Sequence, residues 1–525
     1  MKIHSRIGSL SEAIGEALWA VALICLPITT FPLFALNLGA LVAPFSILPV
    51  VFLFLIASLP LILRRGKLPK ETIPLVFFTL AAILSCAVAY FIFIPGFKGK
   101  AVPGQEIRAL FTLAVGLIFF LATATWVRDT DRLKKSLKYI AIGGMISLAW
   151  SAVQAYYVLR QAETYPLWLS QVQSWFSVRS PNLTPKSGRI SGLTYEASWF
   201  AHQMVMLYLP IWMAATYHKV SAFKFRLVHI SVENILLVLG LAAFFLSSPR
   251  IGLVSFFLMV IYFFIKLNVA FYRKIVQDLS RRLHATIIKP SQRGISSIKV
   301  FTSAFIILAY LLIIAGAFLL ASQRDWRLSL LITDPPTKEE ILGVLTFNQD
   351  VLLGLSHRFI FLERMVYWFN GWNVFSQYPG MGVGLGNAGF FFPQLAPAIG
   401  WSSYEIRNVL YYLYDLPNVK SFWFRLLAET GLVGFSLFIT WLYVLFQSAR
   451  FSLRMDNPYL KTFALAGQLA LLAFIGEGFS LDSFAMPYLW VMAGLIACVA
   501  MISRRGASGQ PPLADQGTYP KDVSP

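Results

Sequence analysis

Apolar runs of roughly twenty residues, separated by short polar breaks, repeat along most of the 525-residue chain. A run of that length, coiled at about 1.5 Å per residue, matches the hydrocarbon thickness of a bilayer, so each reads as a membrane helix. Twelve such runs can be drawn, at 14–34, 38–63, 73–95, 107–127, 137–159, 197–217, 229–249, 251–271, 300–321, 421–448, 462–480 and 487–503. The pattern predicts an all-α polytopic membrane protein of about 12 transmembrane helices. It also sets boundaries: nine helices in 1–321, including a charged linker at 271–299; one long polar loop at 322–420; three more helices in 421–505; and a tail at 506–525. The tail is rich in Pro and Gly, lacks periodicity and is expected to be disordered.

Composition agrees with the pattern. Hydrophobic residues make up 57% and charged residues 13%, with a mean hydropathy of +0.67, outside the globular range. A net charge of +20 would fit a nucleic-acid partner if it lay on one surface. It is instead distributed over alternate loops, as Lys2/Arg6, Arg64/Arg65/Lys67/Lys70, Arg128/Arg132/Lys134/Lys135, Lys219/Lys224/Arg226, the 271–299 linker, Arg450/Arg454 and Arg504/Arg505. That asymmetry places both termini in the cytoplasm and the 322–420 loop outside; the basic loops face membrane lipid, and no nucleic acid is expected. The first run, after Lys2 and Arg6, continues into a second without a small-residue cleavage site and reads as an uncleaved anchor. The linker reads as a topogenic charged loop in preference to an amphipathic helix on the inner leaflet. Cys25, Cys86 and Cys498 each sit inside an apolar run and read as packing residues; no metal site and no cofactor are expected.

Ionisable residues at the outer ends of spans are costly enough to imply a partner or a task. Lys186, Arg189 and Glu196 precede the sixth span in KSGRISGLTYEASWFAHQ, and Arg250 is nearly the only polar group in the turn FLSSPRIGL. An arginine there either snorkels to lipid phosphate or binds the phosphate of a lipid-linked substrate. Glu196 either complements the helix dipole or acts on substrate or arginine; His202 reads as a packed, hydrogen-bonded residue. In the long loop, SHRFIFLERMVYWFNGWNVFSQYPG predicts one amphipathic helix of about 20 residues, with His357, Phe361, Arg364 and Trp368 on one face. That face suits a sugar or phosphate, and equally suits packing on the membrane. The glycines of PGMGVGLGN read as a backbone turn, not a nucleotide loop.

Taken in order, GRISGLTYEASWFA, SSPRIGL, ERMVYWFNGWNVFSQYPGMGVGLGN and KSFWFRLLAETGLVGF resemble the O-antigen ligase and polymerase superfamily over about 185–440. The resemblance implies a metal-independent glycosyltransferase of the bacterial inner membrane, acting on an undecaprenyl-diphosphate-linked glycan at the periplasmic face. Arg189 and Arg250 would hold the diphosphate while a glycan or lipid acceptor hydroxyl attacks; Lys186, Arg364 and Trp368 would bind substrate. Lys420, His357 and Glu196 are the catalytic candidates, and a chain-length regulator protein is a further partner.

The chain departs from the ligase pattern at Lys420, which stands where the resemblance expects a His, followed by Ser421, Gly431 and Gly434. An ammonium of ordinary pKa near 10.4 accepts no proton at neutral pH. The reading therefore favours a polymerase over a ligase, with His357, Glu363, Glu405 and Asp415 left open as bases. Eleven residues separate Lys420 from Gly431, which in one continuous helix puts them on a common face, with Glu429 opposite and paired to Arg425. The rival from another class is a flippase or transporter of lipid-linked oligosaccharide, which would line a central cavity with its charges.

Overall fold

The computed structural model describes residues 2–38, 42–64, 66–178, 184–228, 230–247, 250–285, 315–316, 319, 322, 326–359 and 361–508. The main helices in chain order are α1 (Lys2–Ile24), α2 (Ile47–Leu63), α3 (Thr72–Ala89), α4 (Val102–Trp126), α5 (Thr130–Leu159), α6 (197–218), α7 (Val232–Ser247), α8 (Arg250–Ala285), α9 (Lys338–Leu345), α10 (Gln349–Arg358), α11 (Leu362–Gln377), α12 (Phe422–Ser452), α13 (Pro458–Glu477) and α14 (Pro487–Ala507). Strand structure among the described residues amounts to one antiparallel pair, Arg226–Leu227 with Ile230–Ser231. The protein is all-α and membrane-embedded. Among the described residues seven helices are long and apolar enough to cross a membrane: α3, α4, α5, the Arg250–Val269 part of α8, α12, α13 and α14.

α2 and α6 are apolar but interrupted by π turns at Phe54–Ser58 and Met204–Tyr208. Each turn ends two residues before a proline, Pro60 or Pro210. A proline lacks the N–H and its ring clashes with the carbonyl four residues back, so the helix widens just upstream. The ninth predicted span, 300–321, lies outside the described residues except at 315–316 and 319. The 271–299 linker, expected as a loop, is helical as far as Ala285, because α8 continues past its apolar part.

The chain forms two compact units, Met1–Ser255 with Glu363–Pro525, and Phe256–Leu362. In the first unit α13 and α14 are the most buried of the seven candidate spans, 78% and 83% over their apolar windows, and α6 is buried throughout 199–215. α14 packs on α4 and α12, and α13 on the second half of α6. Close approach is set by small residues: Gly116 of α4 faces the Trp490 indole of α14, where a Cβ would come to 2.2 Å. At one end of this unit the buried Glu71 accepts from Arg504 and Ser448, joining the ends of α3, α12 and α14. A carboxylate without water needs such partners.

In the second unit, α9 starts with a capping box between Thr337 and Glu340, and α10 with an Asn348 cap. Arg358 bonds back to Glu340 at 3.0 Å and lies 3.6 Å from Asp334. The predicted 20-residue helix is not continuous. α10 ends at Arg358, where the Phe361 N–H returns to the Ser356 carbonyl at 2.7 Å, closing the helix in the manner of a Schellman end. α11 begins afresh at Leu362. His357 and Arg364 therefore do not share a helix face.

Candidate functional site

Gly431 organises the part of the first unit where α12 begins. Its φ of 61° and ψ of −166° break α12 in its third turn, a conformation open to glycine and strained for other residues. The break frees the carbonyls of Ala428 and Glu429, and the loop after α11 meets them: Val383 and Gly384 donate at 3.0 Å each. In return Leu432 donates to the Pro379 carbonyl at 2.8 Å. A side chain at Gly431 would fall 2.2 Å from the Gly380 carbonyl oxygen. Within the loop Gly382, Gly384 and Gly386 all have positive φ. The PGMGVGLGN segment is thus a backbone clasp on the α12 kink. Because Lys420 precedes the Ser421 N-cap and Gly431 is non-helical, the common helical face expected for Lys420 and Gly431 is not formed. The Arg425–Glu429 pair is formed, at 2.8 Å.

Lys420 precedes the Ser421 N-cap of α12 with a φ of 49°, a left-handed conformation that costs a side chain about 1 kcal/mol. Arg364 of α11 holds its backbone, donating from one nitrogen to the Lys420 and Ser480 carbonyls, 3.2 Å each. The Lys420 ammonium bonds Glu405 Oε1 and lies 4.4 Å from the centre of the Tyr367 ring. The Tyr367 hydroxyl donates to the same Oε1 at 3.1 Å. Burial, then the Glu405 charge, push the Tyr367 phenol far up, so it remains a donor. Burial raises the Glu405 carboxyl, but Lys420, Tyr367 and Arg364 outweigh it and hold the group below its ordinary value. Both donors meet Oε1; Oε2 accepts no hydrogen bond among the described residues, and the side chain is 45% exposed. Trp368 stacks on Phe424 at 5.9 Å and meets Phe479 at 5.3 Å.

The C-terminal end of α13 links this cluster to the other predicted residues. Gly478 accepts from Phe422 N at 2.6 Å and from Ser421 Oγ at 3.1 Å. Glu477 faces His202 of α6, 3.0 Å apart, each 2% exposed. Gly476 lies against Ser255 of α8, about 7.5 Å, five helical residues, from Arg250. Arg189 donates to the Ser247 carbonyl at 2.8 Å, three positions before Arg250. Glu196 is the N-cap residue of α6 and its carboxylate accepts from Ser198. Lys186 is exposed on a single 3₁₀ turn.

The structure therefore brings Arg364, Trp368 and Lys420 together, and Arg189 to the turn that bears Arg250. His357 belongs to the second unit. Sequence reading missed Tyr367 as Glu405's donor and missed Glu477 altogether. The signal for Glu477 was present, since a carboxylate inside the predicted 462–480 span is costly. No group of three or more His, Cys, Asp or Glu able to hold a metal occurs among the described residues. Compared with known proteins, the chain matches no protein-family model and no curated protein.

Proposed function

We propose that the chain is a glycosyltransferase of the bacterial inner membrane, with about 12 spans and both termini cytoplasmic. On this reading it joins undecaprenyl-diphosphate-linked glycans at the periplasmic face in surface-polysaccharide synthesis. Polymerase is favoured over ligase because Lys420 replaces the expected His. The observation that carries the reading is the α13 end: two segments of the family resemblance bond residues 478–480 through Arg364 and Ser421, and the other two are followed within two residues by His202 and Ser255, which meet Glu477 and Gly476.

In the proposed reaction Arg189 and Arg250 neutralise the diphosphate. Fixed cations aimed at a leaving group that gains charge are a large catalytic contribution. Glu405 Oε2 accepts the proton of the acceptor hydroxyl, the oxygen bonds to the anomeric carbon, and the bond to the diphosphate oxygen breaks. Lys420 and Tyr367 fix Oε1, so the carboxylate presents its other oxygen. Lys420 in this role is a ligand and orienter, not a base. Membrane lipids surround the enzyme, and a chain-length regulator remains the proposed protein partner.

Purified protein with lipid-linked glycan and no membrane barrier tests this directly. Release of undecaprenyl diphosphate is the expected result; none would favour the transporter. In a deletion strain single repeat units should accumulate, whereas full-length chains left on the carrier would point to a ligase.

A further inference from the structure

The first unit holds a second cluster of cations, unrelated to the Lys420 site. Helix α12, kinked at Gly431, separates Lys420, at its start, from the Glu71–Arg504–Ser448 cluster near its far end, about 40 Å along the helix. A cavity of about 270 Å³ opens among the middle of α1, the ends of α2 and α4 and the start of α5, lined by Arg64, Arg128 and Arg132. Glu12 is its only carboxylate among the described residues, and Arg132 already uses it at 2.5 Å.

Two donors at this cavity stand without acceptors. Arg128 spends Nε on the Thr125 carbonyl at 2.6 Å, and its terminal nitrogens make no hydrogen bond among the described residues. Trp126, 6% exposed, lines the cavity, and its buried Nε1 has no hydrogen-bond partner among the described residues. A buried donor left unmatched carries a desolvation penalty. Burial and then the like charges of Arg132 and Arg505 push the Arg128 guanidinium below its ordinary value, a further sign of missing negative charge. Arg132 is otherwise engaged, with the Trp126 carbonyl at 2.8 Å and its guanidinium 4.2 Å from that residue's ring.

The wall opposite is apolar, with Ile56 and Leu61 of α2 lining the cavity. It continues along α2 into exposed Phe52, Leu55, Ile56 and Leu63, between 43% and 73% exposed. A free anion has no use for such a track; an acyl chain does.

We infer that this cavity binds the phosphate of an anionic phospholipid headgroup, held by Arg128 and the Trp126 N–H with its acyl chain along α2. Charge-assisted bonds from a guanidinium fork give selectivity for net negative headgroups over zwitterionic ones.

The test is lipid retention by the full chain, purified from nanodiscs of phosphatidylcholine with or without phosphatidylglycerol and read by native mass spectrometry. Wild type should retain phosphatidylglycerol selectively. Arg128→Gln should lower that selectivity about tenfold. Trp126→Phe keeps a ring against Gly15 and removes the donor, and should lower it severalfold. Unfolding in phosphatidylcholine alone reports whether each variant folds; if Arg128→Gln does not, Trp126→Phe decides. Undiminished selectivity in the folded variants overturns the inference, as does displacement of the lipid by inorganic phosphate, which would make this a site for the free ion.

Discussion

Two side-chain pairs in the same unit, Lys420–Glu405 and His202–Glu477, join a residue noticed in the sequence to a carboxylate across the fold. Their surroundings differ: Lys420 and Glu405 are 34% and 45% exposed, His202 and Glu477 2% each. Where water reaches, an ion pair adds about 0–1 kcal/mol, and its groups remain free to meet a solute. Where water is excluded, the pair cannot touch a sugar, but breaking it strands a polar group in the core. On the proposed glycosyltransferase reading the first pair therefore serves chemistry, and the second holds α6 on α13.

The largest expected effect breaks this division on the exposed side. Glu405→Gln should cut turnover by about 10²–10³-fold, the usual contribution of a general base, with unfolding temperature unchanged. It is measured as undecaprenyl diphosphate released per enzyme. Turnover within threefold of wild type would place the base elsewhere and leave the glycosyltransferase reading itself intact.

Next in size is the buried side. Glu477→Ala should destabilise the protein by about 1–3 kcal/mol, since the His202 nitrogen loses its partner. Thermal unfolding in detergent checks it, and Glu477→Gln should recover part of the loss by keeping a hydrogen-bonding group. If Glu477→Ala instead left stability unchanged and abolished transfer, the buried pair would be part of the chemistry and the comparison would fail.

The same contrast explains what could be read in advance. Long apolar runs carry their own signal, so 107–127, 137–159 and 487–503 correspond closely to α4, α5 and α14. The pairing of Arg425 with Glu429 was also legible, because four residues is a local distance. Glu477 and His202 lie 275 positions apart, and nothing in either neighbourhood names the other. The two failures of helical reasoning share one cause. Periodicity assumes a helix continues, while the end at Arg358 and the kink at Gly431 are fixed by backbone bonds from other turns and loops. Hence His357 was drawn into the site by a face it does not share with Arg364, and Glu405, outside any periodic segment, was left unranked.

A smaller effect concerns pH. Glu405 is held low in the folded protein, so its ionised form persists as pH falls until its lowered pKa is reached. Activity should be level from neutral pH down through the ordinary carboxyl value of 4.5 and fail below it. Lys420→Gln removes the strongest influence holding the group down while its burial remains. The acid limb should therefore move upward in pH, with a modest loss of activity at neutrality. A limb at the same pH in both proteins would mean the titrating base is not beside Lys420.

The smallest effect is the most discriminating for what Lys420 is for. Its φ of 49° is a strain of about 1 kcal/mol that glycine would not carry, against which Lys420→Gly loses a half-exposed ion pair of similar size. The two should nearly cancel, leaving the unfolding temperature almost unmoved while transfer falls. A residue kept in a strained conformation at no net gain in stability is one whose position serves the site, a pattern common where chemistry is done. A drop of many degrees would instead make Lys420 a structural strut, and the exposed pair would then belong with the buried one.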